Sequence, residues 1–328
     1  MAVETSGASR DRTGRAGFAL RDPLPWRDLV EVVSTAETTG YEALFLPEIS
    51  GRETFSTLAG LAAHTSRLRL ATGVVTTLAR GVDTTVMAAA TVHELSGGRM
   101  ILGLGTGPAG AGALDRLRRF CSLARAALVG ETVEGRDGEP FRLTLDAGPN
   151  PLPIWIAALG PNAMRLAGEV ADGVLLNWCP PERVAFARER IREGAEVAGR
   201  DPEAVTVAVY VRACVGQEPG PTLAALRAAA GLYATYPAYL RQFEAVGLGE
   251  EAAMAAAADR AGRPEDVPEI LVRRVCLLGD ASDAALRLQA YRDAGADLPV
   301  VYPVPVRDAS SSILGTLFAL APHPAVEA

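Results

Sequence analysis

The sequence predicts an α/β fold, a closed (β/α)8 barrel, on three observations. From Gly17 onward, short β-rich runs alternate with longer segments of helical period, the pattern of stacked βα units around a parallel sheet, and eight such units can be counted. The chain has 328 residues, and barrels of this kind run to about 250 residues or more, so one barrel accommodates it. A composition of 49% hydrophobic and 22% charged residues supports a large buried core.

The strands are expected at 17–20, 43–46, 69–75, 100–104, 154–158, 173–177, 205–211 and 298–302. Between them, 26–39 puts Leu29, Val33 and Ala36 on one face, and 82–95, 162–170 and 182–198 carry similar stripes; these are the outer helices. Two segments break the rhythm. Residues 132–151 read as a β-excursion with the turn signal Asp137-Gly138, and 219–268 as a long alanine-rich helical stretch. Both are expected as insertions, after the fourth and seventh strands, over the catalytic rim or at a subunit contact. No linker, composition shift or internal repeat interrupts the chain, so 16–328 is read as one domain behind a polar, frayed tail at 1–15.

Thirty-two basic against thirty-nine acidic residues give a net charge of −7, which offers no basic surface for a polyphosphate backbone and argues against nucleic acid as a partner. The four cysteines, Cys121, Cys179, Cys214 and Cys276, are far apart, with no histidine at a ligand spacing, so they read as buried thiols in a reducing compartment rather than as metal ligands. The start lacks the apolar run of a signal peptide, and no apolar segment approaches the ~20 residues of a membrane span. A cytoplasmic protein is expected.

Two long runs in order, Thr65-Ser66-Arg67-Leu68-Arg69-Leu70-Ala71-Thr72-Gly73-Val74 and Glu94-Leu95-Ser96-Gly97-Gly98-Arg99-Met100-Ile101-Leu102-Gly103-Leu104-Gly105-Thr106-Gly107, resemble the third and fourth βα units of the luciferase-like family of TIM barrels. Pro153-Ile154-Trp155-Ile156-Ala157-Ala158-Leu159-Gly160-Pro161-Asn162 and Leu166-Ala167-Gly168-Glu169-Val170-Ala171-Asp172-Gly173-Val174-Leu175-Leu176-Asn177-Trp178 are similar to the fifth and sixth units of its members that use the deazaflavin coenzyme F420. The resemblance reaches Tyr291-Arg292-Asp293-Ala294-Gly295-Ala296-Asp297 and is weak between Gly216 and Pro268. It implies a coenzyme at the C-terminal mouth of the barrel, where such folds place their chemistry in general.

It also implies a cis peptide bond at Gly73-Val74, bulging under the ring of the coenzyme, with Thr76 beyond it as a hydroxyl donor. Leu78, Ala79 and Gly81 stand where relatives have aromatic and basic residues. Gly105-Thr106-Gly107-Pro108-Ala109-Gly110 has the form G-x-G-x-x-G, but no acidic residue follows about twenty positions on, so it reads as a glycine-rich mouth for a flat ring or its polyol, or as a plain turn. The segment Ala158, Leu159, Gly160, Pro161 and Asn162 joins a strand to a helix, whose first N–H groups suit a phosphate such as the one on the coenzyme side chain. Asn162 stands where a lysine is common. Asn177 and Trp178 are expected either to line the site or, for Trp178, to pack under the Pro180-Pro181 turn.

Proton-transfer groups are scarce. Leu46-Pro47-Glu48-Ile49 keeps the carboxylate of a family pattern and loses its histidine, and Pro108 stands where some relatives have glutamate. Glu48, with Ile49 as an apolar wall raising its pKa, and Asp22 after the first strand are the candidate acids or bases. His64, His93 and His323 are read as structural. The expected function is an F420-dependent oxidoreductase moving a hydride to or from a small-molecule substrate, with a homodimer as its assembly. The alternatives are an FMN-dependent monooxygenase of the same family and a cofactor-binding protein without a reaction, the latter drawn from Ile49 and Pro108.

Overall fold

Eight parallel strands form a closed circle: β1 (Gly17–Ala19), β2 (Ala43–Leu46), β3 (Arg69–Thr72, resuming at Val75–Thr76), β4 (Met100–Gly105), β5 (Ile154–Ala157), β6 (Gly173–Asn177), β7 (Thr206–Val215) and β8 (Leu298–Pro303), with β1 pairing to β8 as well as to β2. The computed structural model describes residues 14–21, 24–108, 110–146 and 148–322; the expected tail falls outside it up to residue 13, as do Asp22 and His323. All eight expected strands are present. The helices around them include α1 (Trp26–Thr38), α2 (Thr54–Ala62), α3 (Val82–Leu95), α4 (Ala113–Leu128), α5 (Pro161–Val170) and α6 (Pro181–Val197).

The period-two alternation of each strand sorts side chains between two cores. Outward residues join the helices in one large apolar layer, while Ala19, Phe45, Ile101, Trp155, Tyr210 and Tyr302 are among those filling the barrel. Phe45 lies 5.7 Å, centroid to centroid, from both Trp155 and Tyr210. The large rings fit because small residues face them: a Cβ on Gly173 would stand 2.4 Å from the Trp155 indole.

The two insertions are where the rhythm broke. Val133–Glu134 and Pro140–Phe141 form a short antiparallel hairpin after β4. After β7, the stretch expected as one long helical segment is three helices, α7 (Pro219–Ala234), α8 (Pro237–Glu244) and α9 (Gly249–Arg260), interrupted where Pro237 and Gly249 begin new ones. They share an apolar core with Trp178 and Cys276. A ninth parallel strand, Cys276–Gly279, was not foreseen; it pairs with Arg212–Val215 outside the circle, which is why β7 runs past the expected end at 211. Helices α10 (Glu269–Val275), α11 (Ala281–Asp293) and α12 (Ala309–Ala319) complete the wall. Among the described residues no helix is long and apolar enough to cross a membrane, and all four cysteines are buried.

One contact sets the position of α5. A Cβ on Gly168 of α5 would stand 2.0 Å from the Ile191 carbonyl oxygen of α6, and one on Gly194 of α6 would stand 1.9 Å from the Arg165 carbonyl oxygen. The two helices meet backbone to backbone, and backbone cannot rotate away as a side chain can. Gly194→Ala is therefore expected to lower the unfolding free energy by about 1–3 kcal/mol, the scale of overpacking, seen as a lower urea midpoint at unchanged m. A midpoint equal to the parent's would contradict this contact.

Candidate active site

The C-terminal mouth is shaped by a one-residue slip between β3 and β4. Leu70 and Ala71 pair with Met100 and Ile101, but Val75 and Thr76 pair with Leu104 and Gly105, one residue out of step. The extra residue makes a bulge and re-aims the side chains beyond it: Ala71 faces the barrel interior and so does Val74, while Val75 joins the outer core. Thr72 bridges the broken ladder, its Oγ1 donating to the Gly103 carbonyl and accepting from the Gly103 N–H, both at 2.7 Å. The Gly73–Val74 peptide bond is cis, as expected. The Gly73 carbonyl accepts from the Tyr210 hydroxyl at 3.2 Å, and the Val74 carbonyl accepts from the Glu48 N–H at 3.3 Å. A Cβ on Gly105 would stand 2.7 Å from Val74 Cγ2, so this glycine is what lets the bulge lie against β4.

Around the bulge the interior becomes accessible. Val74, Thr76, Thr106, Ala157, Leu159 and Asn177 are all partly exposed, whereas the inward residues deeper in the barrel are buried. Thr106 Oγ1 donates to the Gly107 carbonyl at 2.9 Å, in a turn where Gly107 takes a φ of 72°. Beside the cleft, Leu20, Arg21, Leu46, Pro47, Ile49 and Thr54 are among the residues lining a cavity of about 210 Å³.

Two strands on from β3 around the circle, Ala158 is buried and donates its N–H to Leu175 across β5 and β6. Gly160 caps α5 without a side-chain hydrogen bond, Pro161 is the first helical residue, and no acidic residue lies in the first turn. Nothing lies within 4 Å of where a Gly160 Cβ would be. Asn162 is exposed and accepts from Arg165 at 3.3 Å. Arg183, near the start of α6, was not singled out from the sequence. It is 8% exposed, donates from Nη2 to the Leu159 carbonyl at 3.2 Å, lies 4.4 Å over the Phe186 ring, and keeps a buried Nε without a partner. Its only signal was an arginine two residues after Pro181, a position that a parallel barrel brings beside the preceding βα loop.

The proton-transfer candidates fare unevenly. Asp22 lies outside the described residues. Glu48 is in the mouth, but the apolar wall expected at Ile49 is not there: Ile49 is 57% exposed. Arg80 meets Glu48 instead, in a two-point ion pair with Nε–Oε1 at 2.8 Å and Nη2–Oε2 at 2.7 Å, and the Thr54 N–H adds a bond at 3.3 Å. Arg80 also reaches Glu53, the N-cap of α2, and the Glu48 carboxylate holds its guanidinium above the usual arginine range. The pair ties the loop after β2 to the loop after β3. His93 is buried in α3 with Nε2 3.0 Å from the Asn150 carbonyl oxygen, and His64 packs edge-on to Trp26; both are away from the mouth.

Asn177 is in the cleft, yet both ends of its amide are engaged: Oδ1 accepts from Arg212 and Nδ2 donates to the Tyr239 hydroxyl at 2.7 Å. Arginine carries only donors, so the amide can sit one way only. Trp178 adopts a φ of 51° and is buried in the core of the α7–α9 insertion, 5.0 Å from Tyr233, rather than on the rim; Gln242 of α8 donates to its carbonyl and to that of Asn177.

Residues 5–298 match the model of the luciferase-like monooxygenase family. The chain is 33% identical over 208 residues to a 5,10-methylenetetrahydromethanopterin reductase of Methanolobus tindarius, a match covering 59% of this chain and 62% of that protein. It is 26% identical over 315 residues to a Mycobacterium tuberculosis protein provisionally named a coenzyme F420-dependent oxidoreductase, with 84% and 91% covered. In fold it is similar to the coenzyme F420-dependent tetrahydromethanopterin reductase of Methanopyrus kandleri, at a TM-score of 0.76 and 22% identity over 94% of this chain and 98% of that one. With the family pattern matched along most of its length, and the barrel and the bulged third strand in place, the chain belongs to the luciferase-like monooxygenase family.

Proposed function

We propose that this protein is a coenzyme F420-dependent oxidoreductase acting on a small organic substrate at the barrel mouth. The observation that carries the reading is the set of partly exposed groups at the barrel mouth: an inward-facing Val74 at the β3 bulge, and at the start of α5 an uncapped helix N-terminus with free space over Gly160 and a buried arginine holding an unused N–H. The name of the Mycobacterium tuberculosis relative supports F420 over FMN. Bound there, the deazaflavin supplies hydride transfer at its C5 position.

The chain's residues do the rest. The backbone N–H groups at the start of α5, with Gly160 allowing close approach, are suited to a phosphate. Arg183 adds the positive charge that Asn162 does not, and burial lowers its pKa, so an anion beside it offsets an existing cost. Gly73, Val74, Gly105, Thr106 and Gly107 form the wall for a flat ring, with Thr76 as a nearby hydroxyl. Glu48 acts as a positioning residue through Arg80, and Asp22 remains the carboxylate for proton transfer. A homodimer in the cytoplasm, with residues 16–328 as one domain, belongs to the same reading.

Two outcomes are expected. In titrations followed by coenzyme fluorescence, F420 binds tighter than FMN, and Arg183→Met weakens F420 at least tenfold while the melting temperature stays within a few degrees. Preference for FMN would favour the monooxygenase alternative, and tight F420 binding with no turnover on a broad substrate panel would favour a binding protein. Second, Glu48→Gln and Arg80→Met each slow turnover by less than about tenfold, and the double variant is no worse than Arg80→Met alone, as expected when Glu48 acts through Arg80. A loss of about a hundredfold or more in Glu48→Gln alone would make Glu48 a direct acid or base.

A further inference from the structure

Arg212 is a buried cation without a counter-ion among the described residues. It lies on β7, 4% exposed, paired in register with Tyr302 of β8. It is two residues beyond Tyr210, hence on the same inward face and one layer nearer the mouth. Three rings surround its guanidinium: Tyr302 at 4.0 Å, Trp178 at 4.7 Å and Tyr233 at 5.0 Å. Its hydrogen bond is to the neutral Asn177 Oδ1, and no carboxylate lies within ion-pair distance among the described residues.

Other enclosed arginines are answered differently. Arg188 has the fully buried Asp297, and Arg99 spends its N–H groups on the carbonyls of Ala62, Thr65, Leu68 and Ser96 and on Thr65 Oγ1. The described neighbours of Arg212 supply no negative charge at neutral pH either. Burial pushes the Tyr302 hydroxyl and the Cys276 thiol up to about 12, and the Tyr210 and Tyr239 hydroxyls upward as well. The ring centroids lie within 5.0 Å of the guanidinium carbon, and the bond to Asn177 uses one of its N–H groups; the edge of a guanidinium is the part that recognises planar oxygen pairs. Asn177, bonded to that group, is itself partly exposed in the cleft.

We propose that Arg212 is a specificity-determining residue that binds a carboxylate of the substrate. The assignment rests on the mouth being the reacting site, and it names the substrate class as small organic acids. Benzoate, a planar carboxylate, and its neutral analogue benzamide are suitable probes, read by calorimetry and by the emission of the adjacent Trp178 in protein without added coenzyme. Benzoate is expected to bind saturably and benzamide not to displace it. Arg212→Met should weaken benzoate at least tenfold, with Arg212→Lys in between. Because Arg212→Met removes a packed side chain, Asn177→Asp provides a second arm: it places a carboxylate at the atom Arg212 already bonds, so it should weaken benzoate at least tenfold without lowering the melting temperature.

Absence of benzoate binding in the parent, or equal binding in Arg212→Met and Asn177→Asp, overturns the proposal. If those variants instead lose F420 affinity while the parent ignores benzoate, Arg212 belongs to the coenzyme; the oxidoreductase reading then stands and this inference fails. Benzoate binding that depends on Arg212 in a protein that does not bind F420 supports the carboxylate site and overturns the coenzyme reading.

Discussion

The mouth of this barrel depends on one broken hydrogen-bond ladder. Because β3 carries one residue more than β4 can pair with, Thr72 has to complete the ladder with its side chain, and the residues after it change face. Without that slip Val74 would join the outer core and the cleft would have a flat strand end in its place. The arrangement requires no side chain at two points on β4: a Cβ on Gly103 would stand 2.0 Å from the Thr72 carbonyl oxygen, and one on Gly105 would press on Val74. Tyr210, from across the barrel, then holds the Gly73 carbonyl. The bulge is thus fixed from below by glycines, from within by a threonine and from the far wall by a tyrosine.

The far wall is built by an insertion. Tyr239 and Gln242 of α8 bond the side chain and backbone of Asn177, while Tyr233 of α7 packs against Trp178 in a tilted ring pair. Trp178 has the left-handed backbone that bulky residues rarely adopt, and it is held there by this packing and by the Gln242 bond to its carbonyl. The helices after β7 therefore do more than cover the barrel. They fix the end of β6 and complete the aromatic shell around Arg212, so the segment least like the rest of the family pattern shapes the part of the mouth above β6 and β7.

Much of the fold was legible because barrel strands and helices carry their period locally. The eight strands can be read from apolar runs and turn signals, whereas the glycines at 73, 105 and 160 stood out through the family resemblance of the runs around them. What was illegible was nonlocal. Arg80, Arg183 and Arg212 look in sequence like the other arginines of an arginine-rich chain; only the closed sheet shows that one faces Glu48, one the Leu159 loop and one three rings. Ile49 misled for the same reason, since an apolar residue beside a carboxylate says nothing about which way it points. Cys276–Gly279 was missed because its apolar run is short and abuts a helix, and its partner is a strand extension distant in the chain.

The three arginines bear on the shortage of acids that the sequence posed. A hydride transfer that leaves or creates charge on oxygen needs that charge balanced, by a proton or by a fixed cation. Here Arg80 is consumed by Glu48 and Glu53, while Arg183 donates to the Leu159 carbonyl beside the start of α5. Arg212, unlike Arg80, has no carboxylate partner among the described residues, and it sits in a setting whose low polarity strengthens its field. A mouth of this composition favours substrates that arrive with their own negative charge, bound by a preorganised cation whose orientation Asn177 and the rings already fix. Selectivity would then lie in the anion a substrate carries, and the proton, where one is required, would be left to a residue or water at the open side of the cleft.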